Sequence, residues 1–236
     1  AMLKREEDSD ASVWERLHQY EQAEWQALTQ GWLRHLAASP EAGVEIATRY
    51  FDAFFWWGEY IDFPFCERLL EELKAAPLSA RGRKIVEMLD EFHRNFVPQR
   101  QQHEAAEWAQ EVLLVLGHLA DRLGLANPSM DDPERWHVRG LVENYVAEAR
   151  YAANAVDSLV ETAYRSSAEA FFKARQIYSE LAQQAARDGD RKLSRRYRQR
   201  AETEAWHGAW VCVWLAGLYA EWNRPLEAER AASAAE

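Results

Sequence analysis

"LAQQAARDGD", residues 181–190, and "LAGLYAEWNR", residues 215–224, open on the same Leu-Ala pair 34 residues apart. Each is a helix-favouring stretch that runs into a residue tolerant of left-handed backbone, Gly189 in the first and Asn223 in the second. Aligned at this interval, Ala182 falls on Ala216, Ser194 on Ala228 and Ala201 on Ala235. Small residues at matching places let paired helices cross closely. The spacing therefore predicts two helical hairpins in the C-terminal third, turning at Gly189-Asp190 and at Asn223-Arg224.

The rest of the chain agrees with an all-α reading. Only 10 Gly and 7 Pro punctuate 236 residues, and Ala, Leu, Glu, Gln and Arg fill the intervals. About nine helices are expected. Ser12, with Glu15 three residues on, suits the start of a helix running to about Ala38, where Ser39-Pro40 stops it. "YFDAFFWWGEY", residues 50–60, is apolar on nearly every side and predicts a central helix packed by several neighbours. Pro64 starts a short helix to about Ala75, and "APLSARG", residues 76–82, leads into another that reaches Phe96. Pro98 then opens a helix whose buried stripe is Trp108, Val112, Val115, Leu119 and Leu123, with Gly124 ending it.

"LANPSMDDP", residues 125–133, is the clearest linker, with Asp132 as N-cap and Pro133 in the first helical position. It divides the chain into an N-terminal bundle, residues 1–126, and a C-terminal part, residues 127–236. In the latter one long helix is expected from Pro133 to about Tyr164, ahead of the two hairpins.

The two hairpins resemble the tetratricopeptide family. The W-x-x-L-G-x-x-Y pattern of that family's first helix is approximated by Cys212, Leu215, Ala216 and Tyr219, and its second-helix small residue by Ala228. In the earlier copy Tyr178, Leu181 and Ala182 fit the first helix, with Ser194 and Ala201 in the second. Ala185 replaces the family's Tyr, Arg198 and Ala232 replace its second-helix aromatic, and Trp206 stands where its Pro would end the repeat. The resemblance implies an inner groove lined by Gln176, Ser179 and Gln183 in one copy and by Trp210, Val213 and Trp214 in the other. It also implies a protein or peptide as partner.

Charge narrows that partner. With 28 Lys and Arg against 39 Asp and Glu the chain carries −11, which disfavours nucleic acid. Within this acidic chain "RDGDRKLSRRYRQR", residues 187–200, gathers seven cations, and Arg191, Arg195 and Arg198 are candidates to receive an acidic or phosphorylated partner. The competing reading is a solvated helix face.

Histidine spacing raises a metalloenzyme alternative. Glu15 and His18, Asp90 and His93, Glu134 and His137, and Glu204 and His207 each place a carboxylate three residues before a histidine, the spacing of helical di-iron oxidases and oxygenases. Asp90, His93, Glu204 and His207 are the candidate ligands. A third reading is a bundle that takes a small ligand at an apolar pocket beside Trp56 and Trp57. Phosphate-loop, nucleophile-elbow and paired-cysteine signatures do not occur, so the leading expectation carries no cofactor and no catalytic residue.

Cys66 and Cys212 lie in apolar stretches, without the spacing of a disulfide framework. No apolar run approaches the roughly 18 residues a membrane helix needs, and the acidic start lacks the apolar core of a secretion signal. The expectation is a cytoplasmic adaptor or regulatory protein with no membrane contact. Leu218, Trp222 and Leu226 are expected to leave the last hairpin partly apolar, suited to homo-oligomerisation or partner docking.

Overall fold

A computed structural model of the protein describes residues 18–37, 39, 42–59, 61–96 and 105–235. Among them are nine α-helices and no strand. They are α1 Ala23–Ala37, α2 Gly43–Ala53, α3 Phe63–Ala75, α4 Ala80–Phe96, α5 Ala105–Leu123, α6 Pro133–Ala152, α7 Asp157–Arg187, α8 Arg191–Glu221 and α9 Pro225–Ala234. A 3₁₀ turn, His18–Glu21, precedes α1, and a π turn, Phe54–Gly58, extends α2. The proposed cap at Ser12 and Glu15 and the proposed start at Pro98 lie outside the described residues. The helices fall into two compact units, the first ending at Gly124 and the second starting at Leu125.

The first unit packs around the aromatic segment singled out above. Tyr50, Phe51 and Phe54 are fully buried, as are Phe92 and Phe96 of α4. Their rings interlock, with Phe51 5.3 Å from Phe92, Phe54 5.7 Å from Phe96, and Phe96 5.8 Å from Trp108 of α5. The expected α5 stripe, Trp108 to Leu123, is buried throughout. Asp62 starts α3 by accepting the Phe65 N–H at 3.1 Å. Trp56 and Trp57 are half-buried, with Trp56 edge-on to Phe55 at 4.8 Å.

In the second unit α7 is central, with α6 and α8 both packed along it and α9 against α8. Asp132 caps α6 through the Arg135 N–H at 3.1 Å, as expected. The single helix expected from Pro133 to Tyr164 is two helices. It breaks after Ala152 because Asn154 turns left-handed, at φ 50°, without a Gly or Pro to announce the break. Asn154, Gly189 (φ 80°) and Asn223 (φ 57°) are followed by the same device. The next N–H reaches back five residues: Ala155 to Arg150 at 3.0 Å, Asp190 to Ala185 at 2.9 Å and Arg224 to Tyr219 at 2.8 Å. Each such bond satisfies a carbonyl left open at a helix end.

These helix ends explain the 34-residue interval. Between the Gly189 and Asn223 turns lies one continuous helix of 31 residues, α8, and no break occurs at Trp206. With no proline there, nothing interrupts the hydrogen-bond ladder. The interval measures one long helix plus its turn, and the consecutive helices pack as antiparallel hairpins.

Two close approaches fix the packing of this unit. A Cβ added at Gly140 of α6 would lie 2.7 Å from the Phe171 ring of α7, and one added at Gly208 of α8 would lie 2.7 Å from Phe172. Hydrogen at these two positions lets α6 and α8 seat against α7, one beside each phenylalanine.

Candidate functional site

Among the described residues the outer face of α8 carries the largest concentration of exposed aromatic surface. Val211, Cys212, Leu215, Leu218 and Tyr219 point inward and are buried. On the opposite side Trp206, Trp210 and Trp214 recur every four residues and stand 40%, 42% and 45% exposed, with Val213 at 57%. Side chains at i, i+4 and i+8 lie in a row on a helix, so the three indoles make one stripe about 12 Å long at 1.5 Å rise per residue. Trp206 was read from the sequence only as a misplaced repeat ending. Its spacing from Trp210 and Trp214 was the signal that it belongs to their face.

The N-terminal half of the same helix is cationic. Arg191 and Arg198 are exposed and Arg195 is half-buried, while Asp190 caps the helix through the Leu193 N–H at 2.9 Å. Arg198 also reaches the Ser194 hydroxyl at 3.4 Å. Arg191 and Lys192 stand in the first turn, where the helix dipole disfavours cations, so helix formation does not account for these two.

The polar trio on α7 does not join the indoles. Gln176 and Gln183 are exposed and Ser179 half-buried, and Gln176 donates along α7 to Glu180 at 2.8 Å. Ser179 donates to the Arg175 carbonyl at 2.8 Å. The hairpin register, set by Phe172 against Gly208 and Tyr178 beside Tyr197 at 6.2 Å, lays this trio alongside the arginine half of α8. The trio and the tryptophans therefore occupy different lengths of the hairpin.

At the far end Leu218 is buried and Trp222 half-buried, edge-on to Tyr219 at 5.9 Å, which leaves Leu226 as the exposed apolar residue of the three. Arg224 binds Glu161 of α7 at 2.6 Å, and Tyr219 donates to the same carboxylate at 2.8 Å. Beside them a half-open cavity of about 290 Å³ lies among α7, α8 and α9, lined by Arg165, Phe172, Cys212, Leu215 and Arg230 among others. Cys66 and Cys212 are both buried and unbonded, and burial pushes both thiols upward in pKa.

Asp90 and Glu204 are each engaged by side chains other than the histidine three residues on, and Glu15 lies outside the described residues. Asp90 is held by Lys74 at 2.6 Å and by Arg94 at 2.9 Å. His93 shares a hydrogen bond with the Tyr50 hydroxyl at 2.8 Å and stacks flat on Phe63 at 4.0 Å. Burial drives its pKa down to about 4, against an opposing pull from Asp90 and with a further push from Lys74. Asp90 and His93 belong to the first unit, Glu204 and His207 to the second.

In the second unit a different set converges. His137 of α6 and Glu204 of α8 meet through Nδ1 and Oε2 at 2.9 Å. His207 lies 5.0 Å from His137, ring centre to ring centre, and stacks on Phe171 at 4.8 Å. All three polar side chains are buried, at 3%, 1% and 0% exposure. The seat that Gly140 gives Phe171 brings His137 to this place, with the Ser167 hydroxyl donating to the Gly140 carbonyl at 2.7 Å just beside it. His137 was noted in the sequence for its spacing from Glu134, and the residue it meets across the bundle is Glu204.

Comparison with known families, with curated proteins and with solved structures gives no match to this chain. Among the described residues no helix is long and apolar enough to cross a membrane.

Proposed function

We propose that the protein is a non-catalytic adaptor or regulatory protein of helical-repeat type, in which α8 binds a partner protein or peptide through Trp206, Trp210, Val213 and Trp214. The observation that carries this reading is the exposure of three indoles in one row. An indole offers up to about 250 Å², so roughly 100 Å² remains open on each, and the stripe with Val213 comes to ~350 Å² of apolar surface. That is the size of patch that marks interaction sites on soluble proteins. Tryptophan is also the residue type most often found as a binding anchor.

The tetratricopeptide-like reading enters here as helical hairpins that present one face to an extended or helical segment. Arg191, Arg195 and Arg198 lie on the same helix, about 12–35 Å from the indoles at its rise per residue, and steer a segment that carries carboxylates or phosphate at one end. Gln176, Ser179 and Gln183 flank that charged end and supply polar contacts.

Selection of displayed random 12-residue peptides on the immobilised chain tests this. Peptides with an aromatic or aliphatic core and acidic residues to one side should be enriched, and Trp210→Ala should weaken their binding at least tenfold. Failure to enrich any sequence, or binding that survives replacement of all three tryptophans, would refute it.

A further inference from the structure

The buried cluster of the second unit has no part in partner binding at the α8 face, and an adaptor does not need it. Three polar groups in a helical core cost desolvation energy that leucine or phenylalanine would avoid. The hydrogen bond between His137 and Glu204 offsets part of that cost, yet it leaves a second fully buried imidazole, His207, beside the first.

The orientation of both rings is fixed by acceptors. A carboxylate accepts, so His137 donates its Nδ1–H to Glu204 Oε2 at 2.9 Å. A backbone carbonyl can only accept, so His207 donates its Nδ1–H to the Thr203 oxygen at 2.9 Å. In a neutral imidazole one nitrogen carries the proton and the other the lone pair, so the neutral form of a ring held this way presents its lone pair on Nε2. Anchoring Nδ1–H on a carboxylate or a backbone carbonyl is how proteins hold metal-binding histidines.

The distance between the rings fits the same purpose. An ion bound at ~2.0–2.1 Å from each Nε2, with a tetrahedral angle between the bonds, lies about 3.2 Å from each ring centre and sets the centres roughly 5.2 Å apart. The observed separation is 5.0 Å, with the ring planes 83° apart. Their ring nitrogens come within 4.8 Å of one another.

From this geometry we infer that His137 and His207 form a site for a single divalent transition-metal ion of the zinc class, with Glu204 as the carboxylate that orients His137. The ion would link α6 to α8 across Phe171 of α7. Imidazole nitrogen suits zinc, copper, nickel and iron rather than calcium or magnesium. The set differs from Asp90, His93, Glu204 and His207, since it replaces the two first-unit residues by His137 and moves Glu204 out of direct ligation. Two histidine nitrogens fill two positions of a tetrahedral ion, and oxygen ligands would fill the others, so the site binds more weakly than a closed site of cysteine and histidine ligands.

Titration of the chelator-stripped full chain with Co²⁺, followed by absorbance, and with Zn²⁺ in competition, tests the site directly. One Co²⁺ per chain, displaced by Zn²⁺, is expected, together with a rise in melting temperature. His137→Gln and His207→Gln should each reduce affinity at least tenfold, and Glu204→Gln by about 10–100-fold while both ligands remain. His118→Gln, on the exposed side of α5, should change nothing. Absence of stoichiometric binding in the wild-type chain would overturn the inference whether or not the variants fold. So would binding that His137→Gln and His207→Gln leave intact, or nitrogen-15 NMR of the metal-free chain that finds the proton on Nε2 of either ring.

Discussion

His93 gives the fold a calculable sensitivity to acid. Its ring is buried among Tyr50, Phe54 and Phe63, and its pKa falls from the ordinary 6.5 to about 4. The groups facing it are the Tyr50 hydroxyl, whose own pKa burial drives upward, the Asp90 carboxylate on its own helix, and Lys74 of α3. Because the folded chain holds this ring neutral, the unfolded chain binds the extra proton between pH 6.5 and pH 4. Stability therefore falls with pH through that window: the contribution is complete above 6.5 and fully lost below about 4. A difference of roughly 2.5 pH units corresponds to about 3.4 kcal/mol, of which about 2 kcal/mol is lost by pH 5.

Urea denaturation of the wild type and of His93→Gln, at intervals from pH 8 to pH 4.5, isolates this term from the carboxylates that titrate in both proteins. Glutamine can keep a hydrogen bond to Tyr50, so the variant should lose some stability at pH 8 and then converge on the wild type as the pH drops. The difference between the two curves should shrink by about 2 kcal/mol by pH 5. Parallel curves, or a His93 resonance that titrates near 6.5 by NMR, would show that the ring is not held neutral and that the reasoning fails.

Other perturbations test the second unit. Gly208→Ala should destabilise by roughly 1–3 kcal/mol, because its Cβ would meet Phe172 at 2.7 Å. Gly217→Ala on the same helix meets nothing within 4 Å and should stabilise by up to about 1 kcal/mol; thermal denaturation of the pair compares them directly. Asn154→Gly should leave stability nearly unchanged while Asn154→Val lowers the melting temperature, since φ of 50° excludes a β-branched side chain. Replacing Arg191, Arg195 and Arg198 together by Glu should leave the urea midpoint close to wild type, as acidic residues suit a helix start, while weakening capture of acidic peptides. A triple variant that cannot fold would make those arginines structural.

What was legible in the sequence was whatever depended on neighbours along the chain. The α5 stripe from Trp108 to Leu123, the Asp132 cap with Pro133 behind it, and the left-handed turns at Gly189 and Asn223 were each read from residues within a few positions of one another. Asn154 was passed over because asparagine adopts left-handed backbone only sometimes, and nothing beside it forces the choice. The interval of 34 residues was real, yet a period alone does not say whether it contains one long helix or two short ones. Only a breaker near Trp206 would distinguish them, and none is there.

The candidate sites divide along the same line. Trp210, Val213 and Trp214 were named through the family resemblance, and Trp206 joins them because 206, 210 and 214 share a face of a single unbroken helix. The same resemblance grouped Gln176, Ser179 and Gln183 with Trp210, Val213 and Trp214, and the register of α7 against α8, set by Phe172 on Gly208, separates the two sets. The meeting of His137 with Glu204 spans 67 positions and two helices that both lean on Phe171. Its cause is the missing side chain at Gly140, which lets the Phe171 ring lie against α6. Glu204 and His207 were singled out for the spacing of a di-iron motif, in which the carboxylate and the histidine would both bind metal. Packing gave Glu204 a different role, because the histidine it reaches first is on another helix. A sequence motif fixes which side of a helix a group occupies, while the facing helix decides whether that group becomes a ligand or the support of one.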